Sequence, residues 1–529
     1  MTFNTRAAEL MVQGRDLPWL LDQWVQRTPE KTFLIWATKK SEPETWSYGR
    51  FEADVRAVAG GLAARGLAKG QRLLVHMENC PELLITHFAC AYLGAVAVHT
   101  NTRLTSRELI DLIALTEIEA IVTQPQYAEL LQDSSQTLKI VTDNDSGEQP
   151  DTGANLTGYQ PFAELLKSEP FQILRPAEPL LDLRVQFTSG TTSQPKAVLS
   201  THANVLFAAQ QTAKAYELNS HDVAHVFVPL FHTNGLTVMV MGSLWVGGTV
   251  LLQRKFSASN FWAPAIAHRA TWCSLPGGFF INALSQYPVP EHLFRFWFIA
   301  VLPEVEAHFK VKTRGHWGMT EMITLPIIGD AHHEGPPLNI GRPAPGTEIA
   351  IRRADGSDSQ PGETGDLFVR GVPGITIFKQ YLNNPTANAE AFDDQGWFNT
   401  GDRIRIDQQG NLFFADRSKD MLRVGGENIA ASEIEAVIRE SPWVKECAVV
   451  GQPHKMLDEV PVAFVSIIDA GDSVDTMPDD LEDQLIGLCK QHLADFKVIR
   501  RVYIVEEFPR ASLNKIAKYR LREGLPTLE

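Results

Sequence analysis

The chain has 529 residues, 44% of them apolar and 21% charged, with 48 Lys and Arg against 63 Asp and Glu for a formal net charge of −15. This is a globular composition, long enough for two to four domains, and its acidic balance excludes nucleic-acid binding driven by a basic surface. The five cysteines, at positions 80, 90, 273, 447 and 489, contain no CxxC pair, so neither a disulfide framework nor a zinc site is expected and a reducing cytoplasm fits best.

The opening MTFNTRAAELMVQGRDLPW carries charges where an export signal needs an unbroken apolar core. From residue 46, WSYGRFEADVRAVAGGLAARGL predicts an amphipathic helix, QRLLVHM a short buried strand and PELLITHFACAYLGA a second helix, with AVAVHTN and AIVTQP as further strands. Short apolar runs separated by helices imply crossover units and a parallel sheet covered on both faces. The polar stretch 143–158 reads as a surface loop. Residues 226–253 lack Asp, Glu, Lys and Arg, but Pro229, His232, Asn234, Gly235 and the pair Gly247-Gly248 interrupt them. A buried helix, a glycine turn and the strand TVLLQ are expected there, and no membrane span.

Beyond residue 340, turn residues between short alternating strands indicate an antiparallel, barrel-like part. After Arg417 the pattern changes again: SEIEAVIRESPWV and LEDQLIGLCKQHLADF read as helices, ECAVVGQP and VPVAFVSII as strands. That makes a unit of about 110 residues, enough to fold alone. The expected fold class is α/β. Residues 1–416 form a large N-terminal body of mixed and parallel sheets covered by helices plus the barrel-like part, and residues 417–529 a small mobile α+β lobe.

Five segments carry chemistry. VQFTSGTTSQPK, residues 185–196, runs an apolar strand into Thr188, Ser189, Gly190, Thr191 and Thr192, with Lys196 following. Hydroxyls and backbone N–H groups in a tight loop cradle phosphate oxygens and a lysine adds charge, although the spacing is not that of a Walker loop. GHWGMTE, residues 315–321, sets the ring of Trp317 near the hydroxyl of Thr320 and the carboxylate of Glu321, a set suited to stacking on a base and holding a phosphate-bound Mg²⁺. GWFNTGD ends in Asp402, whose carboxylate is able to accept both hydroxyls of a ribose. DRSKDMLRVGGEN, residues 416–428, falls at the lobe boundary, and PRASLNKI, residues 509–516, places Lys515 near the C-terminus.

In this order and spacing the five segments resemble the acyl-adenylate-forming superfamily of acyl-CoA synthetases, peptide-synthetase adenylation domains and luciferases. The pattern is most similar to small- and medium-chain acyl-CoA synthetases. The resemblance implies an acid–thiol ligase: ATP activates a carboxylic acid to an acyl-AMP, the acyl group passes to CoA, and AMP and pyrophosphate are released, with Mg²⁺ required. It places Thr188, Ser189, Gly190, Thr191, Thr192 and Lys196 around the β- and γ-phosphates and Trp317 near adenine. Thr320 becomes a phosphate ligand and Glu321 the Mg²⁺ ligand, while Asp402 and Arg417 meet the ribose. Lys515 bridges the carboxylate and the α-phosphate, Lys419 is the hinge of the rotating lobe, and Gly425, Gly426 and Glu427 line the thiol tunnel.

By the same analogy the acid lies among Phe231 to Gly235, Ser274 to Gly278, Trp317 and Met322 to Pro326, with His232 gating the pocket or polarising the carboxylate. No acidic residue occurs in those pocket segments, so an apolar or cyclic acid is expected rather than one bearing an ammonium. Two other functions stay open: an adenylate-dependent ligase that acylates an amine or a carrier protein, and a degenerate non-catalytic nucleotide-binding homologue. The implied partners are a small-molecule carboxylic acid and CoA, or alternatively an amine. No nucleic acid is expected, and the oligomeric state is open, with a homodimer among the states allowed. Three features depart from the family pattern: Ser193 and Ala197 stand where glycines are usual, Asn514 precedes Lys515, and Phe296 to Pro303 runs straight into Glu304 without the usual Gly-Gly-Ala-Pro type segment, so a different pocket wall is expected.

Overall fold

A computed structural model describes residues 5–38, 42–136, 138–143, 154–188, 195–332, 335–417, 421–467, 478, 480–509, 516 and 518–528, with residues 5, 416, 417 and 519 described by backbone alone. The short apolar runs of the N-terminal half fold as strands buried on both faces. An eight-stranded sheet is ordered Gln380–Tyr381, Lys196–Thr201, Asp182–Thr188, Val96–His99, Arg72–His76, Ala120–Thr123, Leu138–Val141, Tyr159–Pro161. It is parallel from Asp182–Thr188 onward and antiparallel across the first three strands. A seven-stranded sheet is parallel from Lys312–Arg314 to Thr32–Trp36, with Glu44–Ser47 antiparallel at its edge. Helices Tyr48–Ala64, Pro81–Leu93 and His202–Ala215 pack with both sheets, and Phe51, Val58, Phe88, Leu206, Met239 and Trp297 share one core.

The uncharged stretch folds within this core, as expected, but not as one regular helix. Asn234–Val240 is a π-helical turn, Met241–Trp245 continues as α-helix, and Thr249–Leu252 is a fully buried strand. A Cβ on Gly235 would sit 2.7 Å from the Pro229 carbonyl oxygen, so glycine admits the close approach that starts the widened turn. No helix among the described residues is long and apolar enough to cross a membrane. The five cysteines are buried and unpaired. Of the stretch read as a surface loop, residues 144–153 lie outside the described residues.

The shortened segment leaves its sheet intact. Phe296–Phe298 and Lys312–Arg314 pair in parallel, joined through a single short helix, Pro303–Phe309. The antiparallel part is a second seven-stranded sheet, from His316–Trp317 to Glu348–Arg352. After residue 421 a five-stranded sheet and helices Ala431–Ile438 and Leu481–His492 enclose a core of their own, which includes Leu422, Ile434, Val449, Val465 and Leu485.

Burial of imidazoles gives the fold a pH dependence. His76, His87, His99, His202 and His225 are at most 2% exposed. Burial lowers His76 to about 3 and His202 and His225 to about 4, and holds His87 and His99 well below their ordinary value. The unfolded chain protonates these rings near pH 6.5 while the folded chain does not. Their stability contribution is therefore intact above pH 6.5 and lost as pH falls toward the folded values, by about 1.4 kcal/mol per ring per pH unit. Thermal unfolding followed by circular dichroism should show the midpoint falling steeply between pH 6.5 and 5; a flat profile refutes the argument.

Candidate active site

Thr188 ends one strand and Lys196 begins the next, and the antiparallel register sets them opposite each other. Tyr381, on the edge strand Gln380–Tyr381, pairs with Val198 two residues beyond Lys196, which brings its ring beneath Lys196, with the ammonium 4.8 Å from the ring centroid. The Tyr381 hydroxyl donates to Glu321 Oε1 at 3.0 Å, and the Phe378 N–H donates to the Glu321 carbonyl at 2.9 Å. Burial, and then the adjacent Glu321 charge, push the Tyr381 phenol up, so it stays protonated and donates. Lys196, Tyr381 and Glu321 thus form a cation, ring and anion in a row. Tyr381 carries no motif of its own in FKQYLNN and is found only through the strand pairing.

Trp317 and Asp402 meet across two strands of the antiparallel sheet, with the indole Nε1 donating to Asp402 Oδ2 at 2.9 Å; both are 6% exposed. Asp402 lies opposite Arg417 in register. Thr320 opens a short helical turn through Met322 that ends at Ile323 with φ +59°. A β-branched residue there is strained, and strain of this kind accumulates at ligand sites.

A second group of residues approaches from the lobe. Strands Met421–Val424 and Glu427–Ala430 form a hairpin whose two turn residues, Gly425 and Gly426, have φ of +56° and +91°. A two-residue turn with both central φ positive selects glycine at both places. The hairpin carries Glu427 to His232, with Nε2 3.3 and 3.2 Å from the two carboxylate oxygens, and its Arg423 guanidinium donates to the Pro276 carbonyl. Burial alone would raise the Glu427 carboxyl, but the His232, Arg103 and Lys497 side chains hold it below the usual range. A Cβ on Gly426 meets nothing within 4 Å, so Gly426→Ala isolates backbone strain. It is expected to cost about 1–2 kcal/mol of lobe stability, read as a lowered unfolding midpoint; an unchanged midpoint refutes the turn assignment.

The segments expected to hold the acid are joined by polar side chains. Thr233 Oγ1 donates to Gln186 Oε1 at 2.8 Å, Gln186 Nε2 to the Phe231 carbonyl at 2.5 Å, and Asn234 Nδ2 to Ser274 Oγ at 2.8 Å. This is more polar than an apolar pocket requires, and Gln186 passes unnoticed in sequence because Val185 and Phe187 flank it. Ser189, Gly190, Thr191, Thr192, Ser193, Lys419, Asn514 and Lys515 lie outside the described residues, and Arg417 is described by backbone alone. Ala197 is buried in a core with Val185 and Leu199, so its methyl replaces glycine without leaving the strand.

A model of the AMP-binding enzyme family matches residues 21–382, and one of the AMP-binding enzyme C-terminal domain matches residues 433–515. Crotonobetaine/carnitine--CoA ligase of Citrobacter koseri is 30% identical, covering 97% of this chain and all of that one. Among solved structures, o-succinylbenzoate CoA synthetase of Bacillus subtilis is 26% identical. As a double mutant bound to the product analogue OSB-NCoA it superposes with a TM-score of 0.81, covering 95% of this chain and 98% of that one. With the acyl-adenylate intermediate OSB-AMP bound, the same enzyme gives 0.66, covering 96% and 98%. The arrangement of this chain is therefore nearer to the first of those two complexes.

Proposed function

The chain belongs to the AMP-binding enzyme family, and from that premise we propose that it joins ATP-dependent formation of an acyl-AMP from a carboxylic acid to acyl transfer onto CoA, with release of AMP and pyrophosphate. The observation that carries the CoA half is the seating of the Gly425-Gly426-Glu427 hairpin against His232 and Pro276, in an overall arrangement nearer to the complex with a CoA product analogue. Residues 1–416 act as the adenylate-building body and 417–529 as a lobe that rotates about Lys419. The present orientation is the one that serves the thiol. A cytoplasmic site, where ATP and CoA are both available, suits this activity.

A carboxylate is a poor acyl donor because an oxide would have to leave; attack on the α-phosphate replaces that oxide with AMP. Two anions must meet in this step, so Lys196 and Lys515 offset repulsion and developing charge, and a cation held by Glu321 would add to them. The donors near Glu321 are carboxylate and hydroxyl oxygens, the set Mg²⁺ takes when a few protein oxygens and substrate phosphates share it. Glu321 would hold the ion, with Thr320 and Thr188 toward the phosphates, and the ion would supply Lewis-acid stabilisation of phosphate charge. Trp317 stacks near adenine and, through its indole N–H, orients Asp402 toward the ribose hydroxyls. In the second step the thiol sulfur attacks the acyl carbonyl and AMP leaves, while the lobe excludes water from the hydrolysable anhydride.

The test is incubation with ATP, Mg²⁺ and a panel of carboxylic acids, followed by CoA or amines and mass spectrometry. Acid-dependent pyrophosphate exchange and a CoA thioester are expected. Exchange with an amide but no thioester replaces CoA by an amine, and no exchange with any acid overturns adenylation.

A further inference from the structure

Arg184 is fully buried in the strand that leads to the phosphate segment. Register places it beside Ala97, on the face opposite Val185. His99 lies two residues along from Ala97, with Nε2 3.1 Å from His87 Nδ1. One Arg184 nitrogen, Nη2, donates to Gln186 Oε1, the oxygen that also accepts from Thr233. Among the described residues Arg184 Nε and Nη1, His87 Nε2 and His99 Nδ1 have no hydrogen-bond partner, and no carboxylate pairs with Arg184. Burial lowers its guanidinium to about 9, so it is cationic at neutral pH.

A buried charge without a counter-charge costs several kcal/mol and persists where something compensates it. The hydrogen-bond inventory says what kind of group that is. A guanidinium offers five N–H donors and Arg184 spends one on Gln186. The two rings share one proton between them, which leaves one outward N–H and one bare nitrogen. Donors are in clear surplus, so the missing partner is rich in acceptors, and the uncompensated charge makes it an anion. The bonds from Arg184 to Gln186, and from Gln186 to Thr233 and Phe231, tie this cluster to the segments that hold the acid. At about 3.3 Å per residue Arg184 lies about 13 Å from Thr188 along the strand, so a carboxylate at Arg184 is remote from the phosphate segment.

We propose that Arg184, with His87 and His99, receives a second, distal carboxylate, so that the substrate is a dicarboxylic acid activated at the carboxyl remote from Arg184. This rests on the acid-activating function proposed above. Gln186 positions the guanidinium and couples it to Thr233 at the start of the π-helical turn. An ammonium-bearing acid is disfavoured at the same place because it would face a fixed cation.

The test uses the full-length chain and pyrophosphate exchange with α,ω-diacids of about four to eight carbons, their monomethyl esters, monoacids of equal length and trimethylammonium acids. At least one diacid should exceed its monoester by about 100-fold in kcat/KM. In Arg184→Met that ratio should fall to within about 10-fold, through a higher KM for the diacid, and His99→Gln should lower it in the same direction. The preferred diacid without ATP should raise the unfolding midpoint of the native chain but not of Arg184→Met, whereas sulfate and chloride at equal ionic strength should not. Equal or better turnover of a monoester, monoacid or trimethylammonium acid overturns the inference, as does an unchanged ratio in both variants or equal stabilisation by inorganic anions. If no acid supports exchange, the adenylation reading fails, and the midpoint shift, measured with each diacid of the panel, still decides whether a diacid binds at Arg184.

Discussion

Glu321→Gln should lower acid-dependent pyrophosphate exchange by about 10² to 10³-fold, the usual loss when one preorganised charge at a phosphoryl-type centre is removed. The substitution is nearly isosteric, and the new amide oxygen still accepts from the Tyr381 hydroxyl 3.0 Å away, so the loss reports charge rather than collapse of the site. Tyr381→Phe should cost less, about 10 to 100-fold, because a hydrogen bond to a charged group contributes about 1.5–3 kcal/mol. It removes the link between Lys196 and Glu321 while leaving the ring beneath the ammonium. If the two losses fail to add in the double variant, the row acts as one unit. An unfolding midpoint that drops in proportion to activity, or exchange retained in Glu321→Gln, would assign Glu321 to structure instead.

The division between what the sequence showed and what it hid follows from range. Runs such as Leu73, Leu74 and Val75 are apolar on both faces because their strand is covered on both faces, and that is a local signal. The Gly425-Gly426 pair is local as well, since two consecutive positive φ angles leave little alternative. Tyr381, by contrast, lies 60 residues from Glu321 in sequence, and only the pairing of its edge strand with Lys196–Thr201 brings it there. Arg184 and Gln186 alternate with Val185 and Phe187, but the segment reads in sequence simply as an apolar strand leading to Thr188, so its polar face goes unremarked. In the fold that face is interior. The π-helical turn at Asn234–Val240 was hidden for a similar reason: the close approach of Gly235 to the Pro229 carbonyl, which a side chain would block, is a packing relation that no periodicity records.

Glu108→Gln should uncouple the two half-reactions, because Glu108 belongs to the body and holds a lysine of the lobe. Lys497 Nζ lies 2.7 Å from Glu108 Oε1 and 2.8 Å from Glu433 Oε2, and Glu108 Oε2 also accepts from the Ala494 N–H at 3.1 Å. Burial would lower the Lys497 ammonium, but the two carboxylates outweigh it and hold it above its ordinary value. Around this triad, Arg103 to Asp495 at 2.7 Å and Arg107 to Glu440 at 2.9 Å are exposed pairs, worth about 0–1 kcal/mol each and screened by salt. Removing one partner of the buried set costs about 3–5 kcal/mol, enough to decide which orientation the lobe occupies. Gln preserves the capping-box geometry that Glu108 makes with Thr105 at the start of its helix, so the body should keep its fold. Thioester formation from supplied acyl-AMP and CoA should then fall by about 10²-fold or more, while pyrophosphate exchange stays level or rises as the lobe is released. Raising the salt should mimic the loss only weakly, since the triad is shielded from it. Equal loss of both half-reactions, or none in either, would mean that the ion triad does not set the lobe's orientation.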